Sequence, residues 1–244
     1  MSARATFATT RRVLEQLRRD HRTLALVLVV PPALLVLLRY VLDGSPGAFQ
    51  RVAVPLVGLF PLIVMFLVTS IAMLRERTGG TLERLMSLPL SKLDLLAGYG
   101  LAFALLAAAQ ASVTSLVAFG LLGVDTAGPK PLVIALAVSN ALLGVGLGLF
   151  LSAFATSEFQ AVQFMPAVLL PQILLCGLFV QRALMPRALR IASDALPVTY
   201  AYDGLDRVAR GLTDGRLWLD AAVVLGTVAL SVALGSTTLR RRTP

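Results

Sequence analysis

The chain has 244 residues, of which 57% are hydrophobic and 14% are charged, and its formal net charge is +9. Soluble domains carry about 25% charged residues, so a mean hydropathy of +0.82 excludes an ordinary soluble fold. In a membrane chain, excess positive charge is typical of basic loops that face anionic headgroups on the cytoplasmic side. We therefore expect membrane lipids, and no nucleic acid, as partners.

The N-terminal segment is polar and basic, and residues 10–23 are predicted to form an amphipathic helix. Val13, Leu14 and Leu17 share one face by helical spacing, and arginines occupy most of the other positions. Such a helix would lie along the inner headgroups. An ordinary basic flank that only sets topology explains the same pattern equally well.

Six apolar runs follow, and each is long enough to cross the membrane as a helix, which takes about 20 residues. Alternating apolar and polar segments of the kind that form membrane barrels are absent, so the chain is predicted to be all-α. The runs lie at 24–42, 52–74, 93–124, 131–154, 164–180 and 217–239. We assign residues 1–23 to a cytoplasmic segment and residues 24–244 to a single membrane domain.

A charged loop at residues 75–92 separates the second apolar run from the third. It has an apolar stripe of its own, Leu82, Leu85 and Met86, preceded by a Gly pair and followed by Pro89. These start and stop signals predict a short helix of about two turns. A passive connector needs less order, so we interpret the loop as a docking element on the cytoplasmic face.

Basic residues predict the orientation. More than half of the 22 Lys and Arg residues lie in the N-terminal segment, in the 75–92 loop and at the C-terminal end. The positive-inside rule puts these parts, and with them both termini, in the cytoplasm. The polar stretch at 181–216 would then be an extracytoplasmic insert with one or two short helices. Tyr200, Tyr202 and Trp218 suit an aromatic belt at that interface.

No catalytic set is visible in the sequence. His21 is the single histidine and lies in the basic flank, so this chain alone cannot form a Ser-His pair or a His-ligated metal site. No P-loop sequence occurs. Asp94, Glu158 and Asp220 lie near span ends, whereas a proton relay would need carboxylates at mid-bilayer. We predict a transport subunit that is no enzyme and holds no metal or cofactor.

Two patterns inside the spans have both a structural and a functional interpretation. Gly144 and Gly148 form a G-x-x-x-G pair, which favours close helix packing over nucleotide binding. Neutral polar residues in spans are most often interhelical hydrogen-bond partners, but they also line pathways. The candidates for a pathway are Gln110, Thr114, Asn140 and Gln172. Because they are neutral and lie among apolar residues, we expect an apolar or amphiphilic substrate.

The loop and the start of the third span carry a recognisable pattern. Residues 75–89 read Arg-Glu-Arg-Thr-Gly-Gly-Thr-Leu-Glu-Arg-Leu-Met-Ser-Leu-Pro, and residues 96–99 read Leu-Ala-Gly-Tyr. This pattern resembles the cytoplasmic loop of type-2 permeases of ATP-binding-cassette (ABC) exporters, which include drug-resistance and lipid or polysaccharide export permeases. The resemblance implies a plasma-membrane permease that forms a dimer and binds two copies of a separate P-loop ATPase.

In that family the loop helix is a coupling helix seated in a groove of the ATPase, which binds the ATP and magnesium. By matching positions, the resemblance implies that Glu83 and Arg84 make polar contacts there. Leu82, Leu85 and Met86 would hold the helix against the membrane domain. The other positions carried over are Glu76, Arg77, Gly80 and Thr81. Local ion pairs, worth about 0–1 kcal/mol when exposed, are the alternative explanation for the charged positions.

Two other classes of function remain open from the sequence. An ion-gradient-driven secondary transporter would need a titratable or ion-binding site of its own. A membrane scaffold or assembly protein would need only the docking loop. An ATPase subunit that purifies with the chain would favour the export interpretation over both.

Overall fold

The computed structural model describes residues 3–44, 47–79 and 92–237. In these ranges every regular element is a helix, which confirms the all-α prediction. The helices are α1 (Ala3–Arg19), α2 (His21–Val41), α3 (Ala48–Thr78), α4 (Lys92–Leu116), α5 (Lys130–Leu151), α6 (Glu158–Leu175), α7 (Arg187–Asp194), α8 (Pro197–Ala209) and α9 (Gly215–Thr237). Within the described ranges, six helices are long and apolar enough to span a membrane, namely α2 to α6 and α9.

The boundary between α1 and α2 differs from the predicted amphipathic helix at 10–23. The first helix begins earlier, at Ala3, and ends at Arg19. Asp20 then caps the second helix, because its carboxylate accepts hydrogen bonds from the backbone N–H and the hydroxyl of Thr23 at 3.1 and 2.6 Å. An Asp that satisfies the free N–H groups of a helix start favours a new helix over continuation of the old one.

The centre of the fold is the packing of α3 against α5, the most extensive contact between two helices in the described part of the chain. Leu62 and Phe66 of α3 and Leu143 of α5 are fully buried there. Helices α4, α8 and α9 pack around α5, and α2 packs against α3. Five spans are therefore positioned, directly or through one neighbour, by this central pair.

Gly144 and Gly148 allow this packing, as the G-x-x-x-G pattern predicts. A Cβ atom on Gly144 would overlap the carbonyl oxygen of Leu62, and one on Gly148 would lie 2.7 Å from the carbonyl oxygen of Phe66. The atoms in the way belong to the backbone of α3, which cannot rotate aside as a side chain does. The two helices are thus in direct backbone contact.

The helix ends form two faces. The loop face comprises α1, the starts of α2, α4 and α6, and the ends of α3, α5 and α9. The insert face comprises the ends of α2, α4 and α6, the starts of α3, α5 and α9, and residues 176–214. The short helices predicted for the insert are observed as α7 and α8, separated by Pro197 at the first position of α8.

Replacing Gly144 by Ala is expected to lower the melting temperature of the detergent-solubilised protein. Overpacking of this kind costs about 1–3 kcal/mol, and here the clash is with backbone. Gly226→Ala in α9 is the matched control, because a Cβ there meets nothing within 4 Å. The control should melt at or slightly above the wild-type temperature, since Ala favours a helix over Gly by about 1 kcal/mol. Melting is measured by size-exclusion chromatography after heating. Equal melting temperatures for the two variants would contradict the backbone contact.

Candidate functional site on the loop face

The first helix is held against the start of α4 by a face made of small residues. Thr9, Thr10 and Val13 are buried in this contact. The Thr10 hydroxyl donates to the carbonyl oxygen of Gly98 at 3.1 Å. A Cβ on Gly98 would lie 2.5 Å from the Cβ of Thr9, so a larger residue at 98 would displace α1. The glycine early in the third span therefore has a structural explanation: it allows α1 to dock.

Arg12 lies at the edge of this contact and reaches both helices that flank the loop. Its guanidinium donates a hydrogen bond to the Tyr99 hydroxyl in α4 and lies 5.6 Å from the centroid of that ring. The same group is 3.7 Å from Oε1 of Glu76 in the last turn of α3. We call Arg12, Glu76 and Tyr99 the root cluster, because Glu76 and Tyr99 belong to the two helices, α3 and α4, that the loop connects.

The Glu76 side chain is only 14% exposed, so its charge has lost most of its contact with water. A carboxylate in such a place needs a nearby cation, because an uncompensated buried charge costs several kcal/mol. Arg12 provides that cation from a different helix. The root cluster thus joins α1, α3 and α4 by electrostatics as well as by packing.

A second ion pair joins the end of α3 to the start of α6. Arg75 donates from Nε and Nη2 to the two carboxylate oxygens of Glu158, at 2.7 and 2.9 Å. Both side chains are more than half exposed, so the pair contributes about 0–1 kcal/mol to stability. Its bidentate geometry fixes the relative position of the two helix ends.

The structure places the predicted coupling residues in two groups. Glu76 and Arg77 belong to the last turn of α3, so this helix continues into the region predicted as loop. Nε and Nη2 of Arg77 are buried without a hydrogen-bond partner in the part of the chain that the structure describes. The other six lie outside the described residues: Gly80, Thr81, Leu82, Glu83, Arg84 and Leu85. Their coupling role stays a prediction.

The four predicted pathway residues are all buried. Asn140 of α5 donates from Nδ2 to the carbonyl oxygen of Ala201 in α8 at 3.0 Å, which is an interhelical bond. Thr114 donates to the carbonyl oxygen of Gln110 at 2.9 Å, and Gln172 donates to that of Val168 at 3.0 Å, both within one helix.

Gln110 differs from the other three. Neither its amide oxygen nor its amide nitrogen has a hydrogen-bond partner among the described residues. Buried amides are normally paired, so this one is available to another group. The four residues lie on three helices. Among the described residues, the bond from Thr114 to Gln110 is the one hydrogen bond between two of the four. Their pathway role therefore stays a prediction.

Arg12 and Tyr99 are the members of the site that the hydrophobic pattern did not reveal. The pattern of α1 was anchored on Val13, Leu14 and Leu17, which put every arginine on the outer face. The observed buried face also includes Thr9 and Thr10. Residues three apart are neighbours on a helix surface, so Arg12 lies beside Thr9 at the edge of this buried face. The pair Thr9 and Thr10 is therefore the sequence signal that indicates a buried position for Arg12.

The insert face carries a separate group of ion pairs. Arg182 binds Asp194 of α7 and Asp203 of α8, the latter at 2.7 Å. Burial raises the pKa of Asp203 above its usual range, and the charge of Arg182 opposes that shift. Arg207 of α8 lies 3.3 Å from Asp220 in α9. The pairs of Arg182 hold α7 and α8 together, and the pair of Arg207 holds α8 to the span α9.

Comparison with known proteins agrees with the pattern at the loop. The family described as ABC-2 type transporter matches residues 4–208. The chain is 27% identical over 161 residues to "ABC transporter G family member 20" of Dictyostelium discoideum, which covers 65% of this chain and 22% of that protein. It is 27% identical over 139 residues to "Probable multidrug ABC transporter permease YbhS" of Escherichia coli (strain K12), which covers 57% of this chain and 37% of that protein. The chain thus spans well under half the length of these relatives.

Replacing Arg12 by Ala is expected to destabilise the protein by about 1–3 kcal/mol, because Glu76 then keeps a largely buried charge without its cation. Arg11→Ala is the matched control, since Arg11 makes an exposed pair with Glu15 on the same helix. We expect the control to stay within about 0.5 kcal/mol of the wild type. Thermal melts in one detergent measure both.

A double variant separates electrostatics from lost packing. If the root cluster acts through charge, Arg12→Ala combined with Glu76→Gln should recover part of the stability lost in Arg12→Ala, because no unpaired charge remains. Simple addition of the two single effects would contradict this explanation.

Proposed function

This chain belongs to the ABC-2 type transporter family, and on that premise we propose that it is the permease subunit of an ATP-driven exporter in the plasma membrane. The names of its relatives, a G-family ABC transporter and a probable multidrug ABC permease, support the proposal. A separate P-loop subunit would bind ATP and magnesium and would hydrolyse the ATP. A second copy of the permease would complete the transporter as a homodimer.

The loop face would lie in the cytoplasm, with both termini. The positive-inside rule supports this orientation, because exposed arginines of α1 and of the start of α2 lie on that face: Arg4, Arg11, Arg18, Arg19 and Arg22. Nine basic and seven acidic residues belong to the opposite side by the same topology, and much of their charge is balanced in ion pairs such as those of Arg182 and Arg207.

The observation that carries the proposal is the root cluster. It ties α1, α3 and α4 together where the loop begins and ends. A partner that pushes on the loop would therefore move these three helices together. The backbone contact of Gly144 with Leu62 would pass the movement from α3 to α5. Two permease copies moved in this way would rock against each other and open a path to the outside.

The proposed substrate is an apolar or amphiphilic compound, such as a drug, a lipid or a lipid-linked molecule. Support comes from the buried polar residues of the spans, which are neutral at the candidate pathway positions Gln110, Thr114, Asn140 and Gln172. A small ion would need charged or multiply coordinating groups at that depth. An amphiphile needs only a few hydrogen-bond partners among apolar side chains.

The experiment that tests the proposal is purification of the tagged chain from its native membrane, followed by identification of the proteins that accompany it and an assay of ATP hydrolysis. A P-loop subunit in stoichiometric amount, with ATP turnover that responds to a transported compound, is the expected result. A chain that purifies alone, without ATPase activity, would contradict the proposal and favour a secondary transporter or a scaffold.

Within that complex, Glu83→Ala is expected to lower the amount of substrate transported per ATP hydrolysed by about fivefold or more. A change of this size corresponds to a typical coupling energy. Arg84→Ala should act in the same direction. Glu15→Ala is the control, because Glu15 is an exposed acid of α1 that pairs with Arg11. Transport is measured as ATP-dependent uptake into inverted vesicles, at equal permease content. Unchanged transport in both loop variants would contradict a coupling role for the loop.

A further inference from the structure

Helix α7 on the insert face has one polar side and one apolar side, with no residue out of place. Successive residues of a helix are rotated by about 100°, which puts all four polar residues of α7 within one arc of about 120°: Arg187, Arg190, Ser193 and Asp194. The other four residues are apolar and occupy the remaining circumference: Ala188, Leu189, Ile191 and Ala192.

The hydrogen bonds and the ion pair that hold α7 in the fold come from its polar side. The Ser193 hydroxyl donates to the carbonyl oxygen of Leu175 at the end of α6, at 2.9 Å. The carboxylate of Asp194 binds Arg182, and its backbone carbonyl oxygen accepts from the Tyr200 hydroxyl at 2.7 Å. The helix is therefore attached at its C-terminal end and through polar atoms.

The apolar side of α7 is exposed. All four of its residues are exposed, Ile191 by 60% and Leu189 by 45%. A helix on the surface of a soluble protein does the reverse and buries its apolar side against the core. Exposed apolar residues also follow one another along the chain from the span α6 to α7: Leu174, Phe179, Val180 and Leu184. The apolar side of α7 thus extends the lipid-facing surface of the chain into the insert.

Two cations flank this apolar side without a counterion. The ion pairs within residues 176–216 are made by four other arginines: Arg182, Arg207, Arg210 and Arg216. Arg187 and Arg190 are exposed and belong to no ion pair among the described residues. The acid of α7 itself, Asp194, is bound by Arg182. Both guanidinium groups are therefore available to an anion from outside the chain.

Water, a second protein and the membrane interface are the three surroundings to compare for α7. Water would leave the apolar side unburied. A stable protein contact takes about 800 Å² from each partner, and a helix of eight residues, about 12 Å long, offers far less. The membrane interface suits both sides at once, because acyl chains cover apolar residues while phosphate groups pair with arginines.

We propose that α7 is an interfacial helix that binds an anionic phospholipid in the leaflet next to the insert face. The acyl chains lie along its apolar side, and the phosphate pairs with Arg187 and Arg190. A zwitterionic lipid would bring an amine as well, and the one carboxylate of α7, that of Asp194, is already paired with Arg182. The proposal goes beyond the export function and needs only that the chain spans a membrane.

The test places a fluorescent nitrobenzoxadiazole label on Ile191→Cys in the full chain in maltoside micelles. The label attaches there because the native Cys176 is buried. Phosphatidylglycerol and phosphatidylcholine with a nitroxide on the acyl chain serve as quenchers, so the signal reports only lipid beside α7. We expect phosphatidylglycerol to quench at a mole fraction lower by about tenfold or more, the effect of two arginines near anionic lipid.

Arg187→Gln combined with Arg190→Gln should abolish this preference and leave quenching by phosphatidylcholine unchanged. Both side chains are exposed and unpaired among the described residues, so the double variant should fold as the wild type does. Arg51→Gln is the matched control, because Arg51 is an exposed arginine at the start of α3 on the same face. The control should keep the full preference.

Equal quenching by the two lipids, or a preference that survives in the double variant, would overturn the proposal. Iodide is the quencher in water: quenching by iodide and by neither lipid would put α7 in water. Quenching by none of the three would put Ile191 against protein, such as a second copy of the chain. Glycerol phosphate is a headgroup without acyl chains, and loss of the preference in its presence would indicate a site for free phosphate. Each of these outcomes would also overturn the lipid site.

Discussion

The fold depends on one close approach, that of α3 to α5. Gly144 and Gly148 put the two backbones in contact. Helices in lipid gain nothing from burying apolar area against one another, so van der Waals packing at this contact supplies the attraction. The same pair then positions α8: the Asn140 side chain of α5 binds the backbone of α8, and Leu205 packs at Gly58 of α3. The contact between α3 and α5 thus also fixes the position of α8 on the insert face.

Charge is confined to the ends of the spans. In the described spans every charged residue lies within about two turns of a helix end, where the cost of removing it from water is lowest. The ends use these charges to connect elements that packing alone leaves apart: Arg12 joins α1 to α3, Arg75 joins α3 to α6, and Arg207 joins α8 to α9. Apolar surface places the helices in the membrane, and ion pairs at both faces fix their ends relative to each other.

The sequence was sufficient for the spans, the helical class and the role of the Gly pair, because each depends on a local pattern of apolar or small residues. It was insufficient for the root cluster. Arg12 and Glu76 are 64 positions apart, and no periodicity relates two elements that meet only after the helices pack. The predicted helix at 10–23 runs past the start of α2 for a local reason: the capping Asp20 lies inside a basic run that continues the α1 pattern. The loop helix and its residues Gly80 to Leu85 stay a prediction.

Glu76 connects packing with charge at the end of α3. Its side chain is only 14% exposed and lies 3.7 Å from the Arg12 guanidinium, which also donates to the Tyr99 hydroxyl of α4. A shift of α3 alone would separate Glu76 from Arg12 and leave a largely buried charge without its cation, which costs several kcal/mol. Movements in which α1, α3 and α4 shift together keep this pair intact. The ion pair therefore favours a rigid-body movement of three helices over the sliding of one.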